Sequence, residues 1–256
     1  MARLNVTAVK GTALAHPDLV EVGPSGIAGD RAFFLVDETG LQVSGSRQGT
    51  LIGIRSAFDG ATGRLALEFP DGTRVEGDAT RDGEAIVSGF SGRSVTGQLV
   101  EGPWSAAVSE FAGKQLRLVR TQRDGDAVDV EPVTMVSLAS VRDLAQRGRH
   151  DGDLDPRRFR MNIELEGCQP YEEETWEGRA VAVGGLVLRV GGSVPRCVVT
   201  TLDPSTGVKD WDTLTQIAKY RPRIGGKGGL PFGVYARVET PGPVRVADEV
   251  RLIEIE

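Results

Sequence analysis

The sequence predicts a mostly β protein of the α+β type, with two β-barrel-like modules and a few short helices. Three observations predict it. Short β-patterned runs recur along the chain between turn residues. Glycine is abundant at 34 of 256 residues, while aromatic residues make up only 5%. Stretches with helical periodicity are few and short. Many tight turns between short strands call for glycine, and many strands with few helices pack as sandwiches or barrels. Hydrophobic residues make up 39% of the chain, so it is globular and long enough to bury a real core.

The elements follow in order. Ala32-Phe33-Phe34-Leu35-Val36 is a compact apolar run, as expected of a buried strand. Arg64 to Phe69 alternates at period two. Pro70-Asp71-Gly72-Thr73 and Arg74-Val75-Glu76 follow it, which reads as a hairpin. Ser105 is placed to cap a helix through Phe111 that stops at Gly113. Ser137 is placed to cap a second, Leu138 to Arg147, with Gly148 at its end. Leu138, Val141, Leu144 and Ala145 share one face of that second helix. Arg179 to Val183 and Leu186 to Val190 flank Gly184-Gly185, a two-residue hairpin turn. A third helix is expected over Thr213 to Tyr220. Val244-Arg245-Val246 and Glu249 to Ile253 read as closing strands. The polar stretch Thr121 to Asp126 marks the internal boundary, giving modules at 1–120 and 125–256.

Composition narrows the function. The net charge is −6, which disfavours nonspecific binding to nucleic acid or anionic membranes. The N-terminus lacks the apolar core of a signal peptide, and no apolar run reaches the roughly 20 residues needed to cross a bilayer. These features predict a soluble, cytoplasmic protein with reduced thiols. Cys168 and Cys197 are the two cysteines, too few for a disulfide framework or a four-ligand zinc site.

Several motifs fail on inspection. Asp151-Gly152-Asp153-Leu154-Asp155 has the acidic spacing of a calcium loop, but Pro156 and Asn162 stand where glycine and glutamate are needed, so a solvated loop is expected. Gly225-Gly226-Lys227-Gly228-Gly229 lacks the hydroxyl and spacing of a P-loop and reads as a flexible loop. His16 and His150 lie in no triad or zinc pattern. What remains is one soft ligand, Cys197, preceded by the permanent cation Arg196. Arg, Lys, Ser, Thr and Asn side chains are scattered through the rest of the chain. A nearby cation favours thiolate, the form that binds soft metals. Guanidinium forks hold phosphate, and hydroxyls and amides read polar rings. That set suits an anionic organometallic cofactor. A small buried hydrophobe is the alternative for Cys197.

Arg158-Phe159-Arg160-Met161-Asn162-Ile163, Gly167-Cys168, Tyr171 to Trp176 and Pro195-Arg196-Cys197-Val198-Val199-Thr200-Thr201-Leu202-Asp203-Pro204 carry a resemblance. In order and spacing they resemble the molybdenum cofactor sulfurase C-terminal (MOSC) domain family. Phe232-Gly233-Val234-Tyr235 and Pro241 to Val250 resemble its closing segment. The first half, through Val9-Lys10-Gly11-Thr12 and Gly29 to Asp37, resembles the β-rich module preceding this domain in mitochondrial amidoxime-reducing components and their bacterial relatives.

The resemblance implies a molybdenum cofactor of the molybdopterin type, with Cys197 as metal ligand. It implies cofactor contacts from Arg160 and Asn162, from Lys10 and Thr12, from Arg31, and from Ser137 at a helix start, where free N–H groups attract anions. Cys168 is expected to be structural, and Asp203 to shape a turn. Val194 stands where some relatives have a second cysteine, and Thr12 replaces a serine. With no ferredoxin-like cysteine cluster, electrons are expected from a separate donor protein. The implied activity is an oxidoreductase that reduces N-hydroxylated or N-oxide small molecules. Two alternatives stay open: a non-redox carrier of the cofactor or of sulfur on Cys197, and a metal-free binding module with Cys197 packed in its core.

Overall fold

The computed structural model describes residues 1–81, 83–90, 92–226 and 228–254. Lys227 of the glycine-rich segment and Glu256 at the end of the second expected module lie outside the described residues. The first half of the chain carries β1 (Arg3–Leu4), β2 (Leu19–Gly23), β3 (Gly26–Ile27), β4 (Phe33–Val36), β5 (Gln42–Val43), β6 (Arg55–Asp59), β7 (Arg64–Glu68), β8 (Arg74–Asp78), β9 (Ala85–Phe90), β10 (Arg93–Leu99), α1 (Trp104–Ala112) and β11 (Arg117–Thr121). The second half carries β12 (Val133–Ser137), α2 (Leu138–Gly148), β13 (Ile163–Leu165), β14 (Ala180–Val183), β15 (Leu186–Arg196), α3 (Thr213–Ala218), β16 (Leu230–Thr240), β17 (Gly242–Arg245) and β18 (Val250–Ile253). The protein is mostly β with barrel-like sheets, and no helix among the described residues is long and apolar enough to cross a membrane.

The main sheet has the order β1-β13-β12-β16-β15-β14-β18, and a five-stranded sheet has the order β5-β4-β11-β10-β9. β4 shows why its sequence carries no polar position. It lies inside the five-stranded sheet, so Phe33 and Leu35 enter one core cluster while Phe34 and Val36 enter another. A strand covered on both faces reads as a continuous apolar run. β7 and β8 pair as the expected hairpin, with Leu65 and Leu67 fully buried and Arg64 and Glu68 turned outward. β14 and β15 pair through Gly184, whose φ of 56° needs glycine's freedom.

Two strand pairings join the ends of the sequence. β1 pairs with β13, Arg3 opposite Glu164, and β2 pairs with β17, Val20 opposite Val244. Residues of the first module by sequence thus lie on sheets of the second. The helices differ from expectation at their ends. α1 begins at Trp104, because the Ser105 hydroxyl accepts a hydrogen bond from Leu118 N (3.0 Å) and ties the helix to β11 instead of capping it. α2 begins after Ser137, whose Oγ accepts from Ala139 N, and ends with Arg149 in the left-handed region. α3 stops at Ala218 and is capped by Asp212.

β16 lies between β12 and β15, and the β15–β16 ladder is broken by bulges around Ser193 and Pro195. Bulges bend a strand and re-aim its side chains. Here they carry the end of β15, and Cys197 just beyond it, toward the loops of the first half of the chain.

Candidate functional site

Cys197 is exposed and opens on a cavity of about 490 Å³. A free thiol packed in the core is therefore excluded. The turn behind the thiol is braced by its own hydroxyls. Thr200 Oγ1 donates to Cys197 O (3.0 Å) and Thr201 Oγ1 to Val198 O (2.7 Å). Arg158, buried, donates to Thr200 O (3.0 Å) and in a fork to Asp210. Thr213 Oγ1 donates to the same Thr200 carbonyl (2.6 Å). Further on, Asp203 Oδ1 accepts from Ser205 N, Thr206 N and Thr206 Oγ1, so its carboxylate shapes the turn. That turn meets the first half of the chain backbone to backbone: a Cβ on Gly207 would lie 1.9 Å from Gly49 O.

The cavity brings together Lys10, Arg31, Arg160, Asn162 and Cys197. Lys10 is buried, and its Nζ donates to Ala127 O (2.9 Å) and Asp129 Oδ1 (2.8 Å). Burial holds its pKa below the lysine range, with Arg31 and Arg160 adding repulsion against the attraction of Asp129. Burial works to raise the Asp129 carboxyl too, but Lys10 outweighs it and the net shift is down.

Arg31 and Arg160 both sit in the left-handed region, at φ 51° and 54°. For arginine this conformation is uncommon and costs energy, and such residues gather at functional sites. Both residues line the cavity. Arg31 pairs with Asp30 and also donates to Arg160 O (3.2 Å). Arg160 donates to Thr12 O (2.7 Å), and burial, followed by the neighbouring Arg31, lowers its pKa to about 10. It is still a cation at neutral pH.

The remaining expected residues play other parts. Asn162 is on the cavity wall, but both ends of its amide are engaged. Nδ2 donates to Asp30 Oδ2 (3.0 Å) and Asn5 O (3.3 Å), while Oδ1 accepts from Thr134 N and Oγ1. It holds Asp30, and through it Arg31. Thr12 lies off the cavity lining. Its hydroxyl is buried among Val9 O, Thr7 and Ser56, and only its carbonyl reaches Arg160. Ser137 also lies off the lining. Its N–H donates to the carboxylate of Glu173 (3.1 Å), which also accepts from Ser140 Oγ. The helix start thus bonds an internal carboxyl group.

Other residues on the cavity wall were not named as cofactor contacts. Arg196, the cation preceding the thiol, turns its guanidinium to Phe159 O (2.7 Å) and Met161 Sδ (3.0 Å), and burial lowers its pKa to about 10. Asp129 lies just past the stretch read as a boundary. Tyr235 lies inside the closing segment and was not singled out, although its place in a strand next to the cysteine strand was a usable signal. Gln42 also lines the cavity, with its amide Nε2 buried and unpartnered among the described residues. Among those residues no group of three or more His, Cys, Asp and Glu gathers to hold a metal. One thiol therefore faces a cavity lined by Lys10, Arg31, Arg160 and Arg196.

A sequence model of the MOSC domain matches residues 122–251. The chain is 34% identical over 149 residues to mitochondrial amidoxime-reducing component 1 of Mus musculus, covering 56% of this chain and 43% of that protein. To mitochondrial amidoxime reducing component 2 of Rattus norvegicus it is 35% identical over 128 residues, 48% and 37% of the two chains. To molybdenum cofactor sulfurase of Drosophila melanogaster it is 28% identical over 228 residues, 82% of this chain and 27% of that one. The chain spans less than half the length of each of these relatives. Among solved structures, the YUAD protein from Bacillus subtilis aligns over 99% of this chain and 94% of its own, at 13% identity and a TM-score of 0.47.

Proposed function

The chain belongs to the MOSC domain family, and from that premise we propose that it binds a molybdenum cofactor and reduces N-hydroxylated small molecules. The observation that carries the reading is the shared cavity. Cys197 from the end of β15 faces the same space as Lys10, Arg31 and Arg160, which come from sequence positions far apart. The donor set fits the group. A soft thiolate suits molybdenum, and Arg160, which donates to the Thr12 carbonyl while Lys10 and Arg31 are paired with Asp129 and Asp30, is the cation best placed to take a phosphate.

In this reading Cys197 holds the metal, and Lys10, Arg31 and Arg160 hold the anionic tail. When bound, the cofactor supplies two-electron chemistry with transfer of one oxygen atom. The chain supplies placement. The braced turn at 198–201 fixes the thiol, and the Arg31–Asp30–Asn162 chain of bonds fixes a cation on the same cavity wall. Thr12 O orients Arg160. Overall, the substrate N–O bond breaks, two electrons from a separate donor protein and two protons enter, and the oxygen leaves as water. The two-module division by sequence belongs to this proposal, with the cavity lined from both modules.

A second reading is a carrier of the cofactor, or of sulfur on Cys197, for another enzyme. The exposure of the thiol favours it, because a carried sulfur must be within reach of its acceptor. Protein from a molybdenum-replete host, supplied with dithionite-reduced dye, should convert benzamidoxime to benzamidine. Molybdenum-loaded protein without that conversion would favour the carrier reading.

A further inference from the structure

The segment 123–132 joins the two halves of the chain and forms a wall of the cavity through Val128, Asp129, Val130 and Glu131. Its backbone belongs to no sheet. Among the described residues, its backbone–backbone hydrogen bonds are short turns within the segment, Asp126 N to Arg123 O and Val128 N to Gly125 O. The ladder of β12 begins only at Val133. Asp129 and Val130 are exposed and also line the cavity, so the segment stands between the cavity and solvent.

Side chains hold this wall in place. Arg93, the first residue of β10, donates from Nη2 to Asp126 O (2.7 Å) and Val128 O (2.5 Å). Lys10 Nζ donates to the carbonyl between them, Ala127 O (2.9 Å), and to Asp129 Oδ1 (2.8 Å). Arg237 of β16 donates to Glu131 (2.8 Å). The apolar anchor is small, the Ala127 methyl among Phe34, Phe90 and Val95. Three successive carbonyls are thus held by two cations of the first half of the chain. Those two cations differ in what else they face. Lys10 lines the cavity, whereas Arg93 is exposed and lies outside the lining. An ammonium carries three donors, and two of Lys10's go to the segment, so an anion meeting Lys10 shares it with the wall.

We propose that the segment 126–131 is a gate of the cofactor cavity and that Arg93 is the positioning residue that latches it. This rests on the cofactor reading under Proposed function. A segment held by side chains, with no ladder of its own, opens locally without unfolding the sheets beside it. Opening precedes both entry and escape of the cofactor. Weakening the latch therefore speeds both by the same factor and leaves the affinity nearly unchanged. Loss of a direct contact with the cofactor speeds escape alone.

The test compares wild type, Arg93→Ala and Arg93→Lys. Release is read as loss of molybdenum and pterin after dilution of loaded protein. Uptake is read as pterin bound when cofactor-free protein is mixed with free molybdenum cofactor. Hydrogen exchange of peptides covering 123–132, β4 and β12 is followed by mass spectrometry. The proposal expects Arg93→Ala to release and take up cofactor each about tenfold faster, with the amount held at equilibrium within about threefold of wild type. Exchange rises in 123–132 and stays unchanged in β4 and β12. Arg93→Lys, which keeps the cation, falls between. Faster release with unchanged uptake, rates equal to wild type, or exchange rising equally in β4 and β12 would each overturn the gate. A wild type that binds no cofactor would overturn the underlying reading and the proposal with it, an outcome the metal and pterin analysis separates from failure of the gate alone.

Discussion

The two cysteines occupy opposite electrostatic surroundings. Cys168 is half-buried against the main core and lies near Glu172 and Glu173. Burial first, and those carboxylates second, push its thiol up to about 11. Cys197 is exposed on a cavity wall shared with Arg160 and Arg196. One thiol is kept protonated and the other is offered to a ligand among cations. The difference lies in what the fold places around each sulfur, because a thiol's reactivity follows burial and neighbouring charge.

The largest expected effect breaks the comparison at its centre. Cys197→Ala should lose essentially all bound molybdenum by elemental analysis, while Cys168→Ala keeps most of it. Equal losses would show that the two surroundings are not functionally distinct. A second effect is chemical. With a pKa near 11, about one Cys168 thiol in a thousand is ionised at pH 8. Iodoacetamide at pH 8 should therefore modify cofactor-free protein at Cys197 and leave Cys168 until the pH approaches 11 or the chain unfolds. Peptide mapping reads the result. The sign follows from the shift: a raised thiol pKa suppresses attack below it and permits attack above it.

A third prediction concerns the cations that set Cys197 apart. Arg160→Gln removes charge-assisted hydrogen bonds that are typically each worth about 1.5–3 kcal/mol, so cofactor retention should fall about 10- to 100-fold in dilution and rebinding experiments. The smallest effect sharpens the site's edge. Ser137→Ala should cost about 1 kcal/mol of stability in denaturant titration, from the lost helix cap, with molybdenum content unchanged. Loss of metal in that variant would put Ser137 back among the cofactor contacts.

Local signals in the sequence were readable, and those made by distant pairing were not. The β14–β15 hairpin was readable because glycines, strand lengths and alternation sit within a dozen residues of each other. The pairing of β1 with β13 was not, since nothing near Arg3 or Glu164 announces a partner so far along the chain. The site divides in the same way. Cys197 stands out by its scarcity and its Arg-Cys context. Lys10, Arg31 and Arg160 were named through family resemblance, because a lone cation gives no hint that three of them converge. Ser137 read as an anion site because a helix start has free N–H groups, but Glu173 takes that place through a fold contact no local pattern records. Asn162 read as a ligand contact, yet the fold turns both ends of its amide inward onto Asp30, Asn5 and Thr134.

The central claim is that the thiol and the three cations form one cofactor site. Molybdenum and pterin stoichiometry of the wild-type protein, purified from a molybdenum-replete host, tests it most directly. The account predicts close to one of each per chain, both lost together in Cys197→Ala. A folded wild type carrying neither would contradict it.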